Sequence, residues 1–346
     1  MNGYQRIASA FRGEWPDKVP VMLHNFMMAA HEAGVSMKTF RSEPRELARS
    51  FIEAVERYGY DGIVVDVDTV TLAGAVGAQV SFPDDLPSQH RGPRINSLEE
   101  VPDLEPVNIL EYPGVQVWLE GVRLLKKHFG DEIYIRGNCD QCPFTLAGMV
   151  RGLELWMMDL LDPEANPMVH RLLDYCTSVT SQFVTHMAAT GAHMTSNGNS
   201  VAGPELISPE MYREFGLPYD RQVVACSHGL GLPHILHICG NTNRIIADML
   251  EGGSDGLELD YKTDSQLAYE TMKDRAVFLG NIDPSGVLAL GTPELVRQKT
   301  TELLHVFAGT PRFVLNSGCA IPSITPPENL RAMIETARVF DRGIIS

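Results

Sequence analysis

No stretch of this chain approaches the roughly 20 consecutive apolar residues that a membrane-crossing helix needs, and no run of lysine or arginine offers a track for nucleic acid or anionic lipid. With a formal net charge of −16, both of those polyanionic partners are electrostatically disfavoured. The first residues, Met-Asn-Gly-Tyr-Gln-Arg, lack the apolar core of a secretory signal, so a cytoplasmic location is expected. Cysteine is scarce: six residues (139, 142, 176, 226, 239 and 319) are scattered over 346, too few for a disulfide framework. The chain has no GxGxxG spacing around Gly229–Gly231, no GxxxxGKS/T loop and no GxSxG elbow. Their absence argues against a dinucleotide fold, a P-loop and an α/β-hydrolase nucleophile.

What is present is an alternation of short β-branched runs with amphipathic stretches of helical period. The expected strands are Val19–His24, Gly62–Asp66, Ile133–Gly137, Ala192–Asn197, Pro233–Cys239, Gly256–Asp260, Val277–Asn281 and Arg312–Asn316. Helices are expected over Glu43–Tyr58, Gly114–Phe129, Pro209–Ser227, Thr292–Phe307 and Pro326–Phe340, with Ser208, Thr292 and Thr325 as caps ahead of first-turn prolines. Eight βα units in succession imply parallel strands with helical crossovers, hence a single α/β domain over residues 1–346, a (β/α)8 TIM barrel. The stretch Val76–Ser97, with five residues of Pro or Gly, reads as an insertion after the second strand; its apolar residues make it a candidate lid or docking surface.

The strand ends are unusually polar: His24, Asp66 and Asp68, Asn138 and Cys139, Asn197 and Asn199, His237 and Cys239, Asp260, Asn281 and Asp283, Asn316 and Cys319. In a barrel all of these open onto one face, where active sites sit. His237 and Cys239, two apart in an extended run, point to one side. With Cys319 from another strand end they form a His, Cys, Cys set that leaves one zinc position open for chemistry. The bland alternative is a core histidine beside two inert thiols. A fourth ligand is open between Asp260, Glu258, substrate and water. Asp66 is a candidate general base or partner of a metal-bound histidine, while His24, Asn199 and Asn281 are candidates for cofactor contact. Cys139-Asp140-Gln141-Cys142 reads as a pair of pocket-lining thiols, since no second pair follows at zinc-ribbon spacing. Cys176 and Cys226 are expected in the core.

Several segments carry a resemblance, over nearly the whole chain, to the uroporphyrinogen decarboxylase superfamily. They are Cys142-Pro-Phe-Thr-Leu-Ala147, Gly203-Pro-Glu-Leu-Ile-Ser-Pro-Glu-Met-Tyr212, Gly280-Asn-Ile-Asp-Pro284 and Thr325-Pro-Pro-Glu-Asn329. The resemblance implies the same barrel. The decarboxylases of that superfamily carry an arginine-rich loop for substrate carboxylates; the corresponding Leu23-His-Asn-Phe-Met-Met-Ala-Ala30 has no arginine. By contrast, His237-Ile-Cys-Gly-Asn-Thr242 and Gly318-Cys-Ala-Ile-Pro322 resemble the zinc-binding pattern of methylcobamide:coenzyme M methyltransferases. That resemblance implies zinc held by His237, Cys239 and Cys319. It also implies methyl transfer between a small molecule, a thiol or a methoxylated compound, and cobalamin on a separate corrinoid protein, because nothing in the chain resembles a corrinoid-binding module. Two alternatives are a metal-free decarboxylase and a non-catalytic corrinoid-protein binder.

Overall fold

The structure is a computed structural model and describes residues 1–341. Ten strands are present among the described residues: β1 (Met22–Leu23), β2 (Gly62–Val65), β3 (Gln79–Ser81), β4 (Gln89–Gly92), β5 (Tyr134–Gln141), β6 (Met194–Gly198), β7 (His234–Ile238), β8 (Gly256–Leu259), β9 (Val277–Ile282) and β10 (Phe313–Ser317). Eight of them pair in parallel in the order β1-β2-β5-β6-β7-β8-β9-β10, and a parallel bridge from Val21 to Leu315 brings the first strand against the last. This is the expected (β/α)8 barrel, with each strand segment within a few residues of its sequence assignment. No helix among the described residues is long and apolar enough to cross a membrane.

Alternation along the strands sorts side chains into two layers. Met22, Val64, Tyr134, Met194, Ile235, Val277, Leu279 and Val314 point inward and form one apolar cluster with Ile7 and Ala10. The latter two come from a helix that the sequence reading did not assign, Gly3–Arg12, capped by Asn2 accepting from the Gln5 amide. It lies across the N-terminal end of the barrel. Space for it is made by Gly62, where a Cβ would come within 2.5 Å of Ile7 Cδ1. The outward layer, with Ile63, Ile135, Leu236, Leu257 and Phe278, packs against the surrounding helices.

Two expected caps form: Ser208 accepts from the Met211 amide and Thr292 from the Leu295 amide. Thr325 does not cap. Its helix starts one residue late, at Pro327, with Pro326 extended at ψ 132°, because a residue that precedes proline is driven out of the helical region. Nor is Pro209–Ser227 one regular helix: a wide turn over Tyr212–Gly216 separates Pro209–Met211 from Leu217–Gly229. Pro218 has no amide hydrogen to continue the regular ladder there. Within Val76–Ser97, β3 and β4 form an antiparallel hairpin, and Arg41 holds its turn by donating to Pro83 O at 2.9 Å and Leu86 O at 2.8 Å.

Candidate metal centre and cavity

His237 and Glu258 are register partners on β7 and β8. The His237 Nδ1–H donates to the Glu258 carbonyl at 2.9 Å, which orients the ring and makes Nε2 the nitrogen that a metal would take in exchange for a proton. Cys239 lies just beyond the strand, its Sγ 3.3 Å from that Nε2. Gly240 then turns the chain at φ +84°, a left-handed conformation that glycine adopts without a Cβ clash, and its amide donates to Asp260 Oδ2 at 2.9 Å. Cys319 arrives from β10 through Gly318, where a Cβ would collide with the backbone nitrogen of Tyr261. Only a glycine lets the two strand ends approach so closely. The donor atoms of His237, Cys239 and Cys319 all lie within 4.8 Å of one another.

The two thiols differ. Cys239 is held below the usual thiol range because Cys319 donates a hydrogen bond to it, against a smaller opposing effect of burial. Donating to Cys239 and being buried push the Cys319 thiol up to about 12. Burial alone would lower His237, but the Cys319 hydrogen bond and the charges of Glu258 and Cys319 outweigh it, raising the imidazole to about 9. One imidazole and two thiol sulfurs, converging with the imidazole's other nitrogen already engaged, make a soft donor set suited to zinc. Of the carboxylates weighed as a fourth ligand, Asp260 is committed to the Gly240 and Lys262 amides. Glu258 is committed to Arg136, His24 and Asn316.

These three residues open onto a cavity of about 180 Å³ at the C-terminal mouth of the barrel. His24 and Asp66 line it too. His24 donates through Nε2 to Asp66 at 2.7 Å and through Nδ1 to Glu258 at 3.2 Å. Burial works against its charge, but the two carboxylates prevail and raise it to about 10, so both ring nitrogens are protonated and occupied at neutral pH. Beside it Arg136 Nη2 forms a 2.5 Å ion pair with Glu258, both side chains almost fully buried, and Arg136 Nε donates to Ser196 Oγ at 2.8 Å.

The other sequence candidates lie elsewhere. Asn199 is fully buried, donating to Asp220 and accepting from Thr145, and is not on the cavity wall. Asn281 donates to the carbonyls of Asp260 and Thr263, also away from that wall. Asp68 reaches the cavity edge, yet its oxygens accept from the Val70 and Thr71 amides and the Thr71 hydroxyl. Cys139 and Cys142 are buried in the outer layer and do not line the cavity, contrary to expectation. The reason is alternation: on β5, Tyr134, Arg136 and Asn138 face in, so Cys139 faces the helices. Cys176 is buried as expected, whereas Cys226 is only partly so. Not assigned to the wall from the sequence were Arg136 and Arg41, nor was Asn316 as a tether of Glu258, whereas Asn197, named among the polar strand ends, does line the cavity. A charged residue within an otherwise apolar strand, as in Ile135-Arg136 and Leu257-Glu258-Leu259, was the available signal for the first and for Glu258.

A model of the uroporphyrinogen decarboxylase family matches residues 2–340. A methylcobamide:CoM methyltransferase of Methanosarcina acetivorans is 30% identical over 284 residues, 82% of this chain and 80% of its own. Another from Methanosarcina barkeri is 25% identical over 95% of both chains. A uroporphyrinogen decarboxylase of Alkalilimnicola ehrlichii is 26% identical over 95% of this chain and 92% of its own. Among solved structures, a methyltransferase from Methanosarcina mazei superposes with a TM-score of 0.88 over 97% of this chain and 98% of that one, at 23% identity, a likeness of fold.

Proposed function

The chain belongs to the uroporphyrinogen decarboxylase family, and from that premise we propose that it is a corrinoid-dependent methyltransferase. It moves a methyl group between a small molecule and the cobalamin of a separate corrinoid protein, with zinc held by His237, Cys239 and Cys319. The observation that carries this is the convergence of those three soft donors within 4.8 Å at the mouth of a barrel whose relatives include methylcobamide:CoM methyltransferases. Zinc bound there supplies Lewis acidity toward a sulfur or oxygen atom of the small molecule. The chain's own residues do the rest. The Glu258 carbonyl orients His237. The carboxylates of Asp66 and Glu258 hold His24 and Arg136 in place on the cavity wall. Asp66, committed to His24, acts as a positioning residue. Decarboxylation of a polycarboxylated tetrapyrrole is disfavoured by a cavity of about 180 Å³ and by arginines already paired or tied to carbonyls.

Metal analysis of the purified protein tests the proposal, beside Cys239→Ala and Cys319→Ala. The expected result is about one zinc per chain, lost in both variants, together with zinc-dependent methyl transfer from free methylcobalamin to a thiol. A wild type that takes up no zinc when it is supplied, and transfers no methyl group, would overturn it.

A further inference from the structure

Ser200 stands beside the ligand residue Cys239. On β6 and β7, Gly198 and His237 are register partners, and the ladder runs on past the strand ends, the Asn199 amide donating to the His237 carbonyl at 2.7 Å. Two residues further along each segment come Ser200 and Cys239. Side chains repeat with a period of two along extended chain, so both point to the side that His237 takes. Accordingly, both line the cavity. The Ser200 hydroxyl acts on the Cys239 sulfur as a hydrogen-bond donor, the second of two such donors after Cys319.

Ser200 is also held from behind. Its amide and its hydroxyl both donate to Gln141 Oε1, at 3.4 and 3.0 Å, and Gln141 pairs with Gly198 across β5 and β6. The chain beyond Ser200 folds back onto Cys239: at Gly203 a Cβ would come within 2.7 Å of the Cys239 carbonyl oxygen. The backbone is thereby fixed on both sides, while the hydroxyl is free to rotate. Its single proton has two acceptors beside it, the neutral oxygen of Gln141 and the sulfur of Cys239. A charged acceptor makes the stronger hydrogen bond. When both sulfurs ligate zinc as thiolates, Cys319 has no S–H to offer, and of the two donors only Ser200 keeps its proton. The Gln141 oxygen then retains the Ser200 amide.

We propose that Ser200 is a positioning residue of the metal centre, its hydroxyl donating to the Cys239 thiolate from the place in which Gln141 holds it. The bond orients the sulfur and draws electron density from it. With less charge donated by Cys239, zinc acts as a stronger Lewis acid toward the atom that it activates. The proposal rests on the assignment of zinc to His237, Cys239 and Cys319. Cobalt(II) loaded into the metal-free full chain reports on the sulfur through its thiolate-to-metal charge-transfer absorption, with no need of methyl transfer. A hydrogen bond lowers the energy of the sulfur electrons, so its loss moves that absorption to longer wavelength. Ser200→Ala is expected to show this shift and to bind zinc about tenfold more weakly in chelator competition, the lower end of the range for groups that orient a metal ligand. Ser200→Thr, which keeps a hydroxyl, is expected to restore both the absorption and the affinity. An unshifted absorption in Ser200→Ala would overturn the proposal even if zinc binding weakened, because weakening alone is what a structural role would give. A Ser200→Thr variant that behaves as the alanine variant would overturn it too. A wild type that takes up neither metal overturns the zinc assignment and this proposal with it, whereas bound cobalt that ignores the hydroxyl overturns this proposal alone.

Discussion

Removing the Arg136 side chain as Arg136→Met strands a buried carboxylate, and its cost can be worked from the geometry. Arg136 and Glu258 side chains are 2% and 1% exposed and meet at 2.5 Å. Breaking such a pair from one side costs about 3–5 kcal/mol, mostly because the other charge stays buried and uncompensated. Glu258 keeps His24 at 3.2 Å and the Asn316 amide at 3.1 Å, which places the expected loss near the lower end, about 3 kcal/mol. Glu258→Gln in the same chain removes the stranded charge, so the double variant should be more stable than Arg136→Met alone by about 1–2 kcal/mol, a coupling typical of contacting residues. Urea unfolding of the wild type, both single variants and the double variant reads this as midpoint shifts at unchanged slope. If the double variant is no more stable than Arg136→Met, Glu258 is not held by charge pairing and the account of the cavity's electrostatics is wrong.

Two further outcomes are expected. His24, raised to about 10 in the fold from about 6.5 in an unfolded chain, contributes stability that is complete below about pH 6.5 and is lost as pH rises through about 10. NMR titration should therefore show its ring still protonated at pH 8 in the wild type and titrating well below that in Asp66→Asn; an unaltered titration in the variant would mean that Asp66 does not hold the charge. Gly318→Ala should push the β10 end away from Tyr261 and displace Cys319, weakening zinc binding about tenfold or more, as mis-set ligands do. Chelator competition measures this, and an unchanged affinity would show that the Gly318 approach is not what places Cys319.

The barrel was legible because its signals are local and repeat. Each strand is a short apolar run ending in polar residues, and the helices between carry a clear 3.6-residue period. The Gly3–Arg12 helix was not, since its apolar positions (Ile7, Ala10) acquire meaning only once a barrel exists for them to close. His237, Cys239 and Cys319 could be grouped because barrel topology sends every strand end to one face. That rule says which end a residue occupies, not which way it points. Hence Asn199 and Asn281, at strand ends, turned out to bond to neighbouring segments, and Cys139 fell on the outer layer. Arg41 was out of reach of the rule altogether, because it comes from a short helix ahead of β2, over Met37–Ser42, and reaches the cavity only through the third dimension.

The Gly3–Arg12 helix also has a kinetic meaning. With Ile7 and Ala10 packed against Met22, Val64, Met194, Ile235 and Val314 at the far end of the barrel, the cup has a floor, and its opening lies at the C-terminal mouth. Whatever enters must leave by the way it came. A bulky protein partner delivering or collecting the methyl group at that doorway would block it while in place. Under the proposed function, a partner that covered the mouth would set an order: the small molecule would enter before it docks and depart after it leaves.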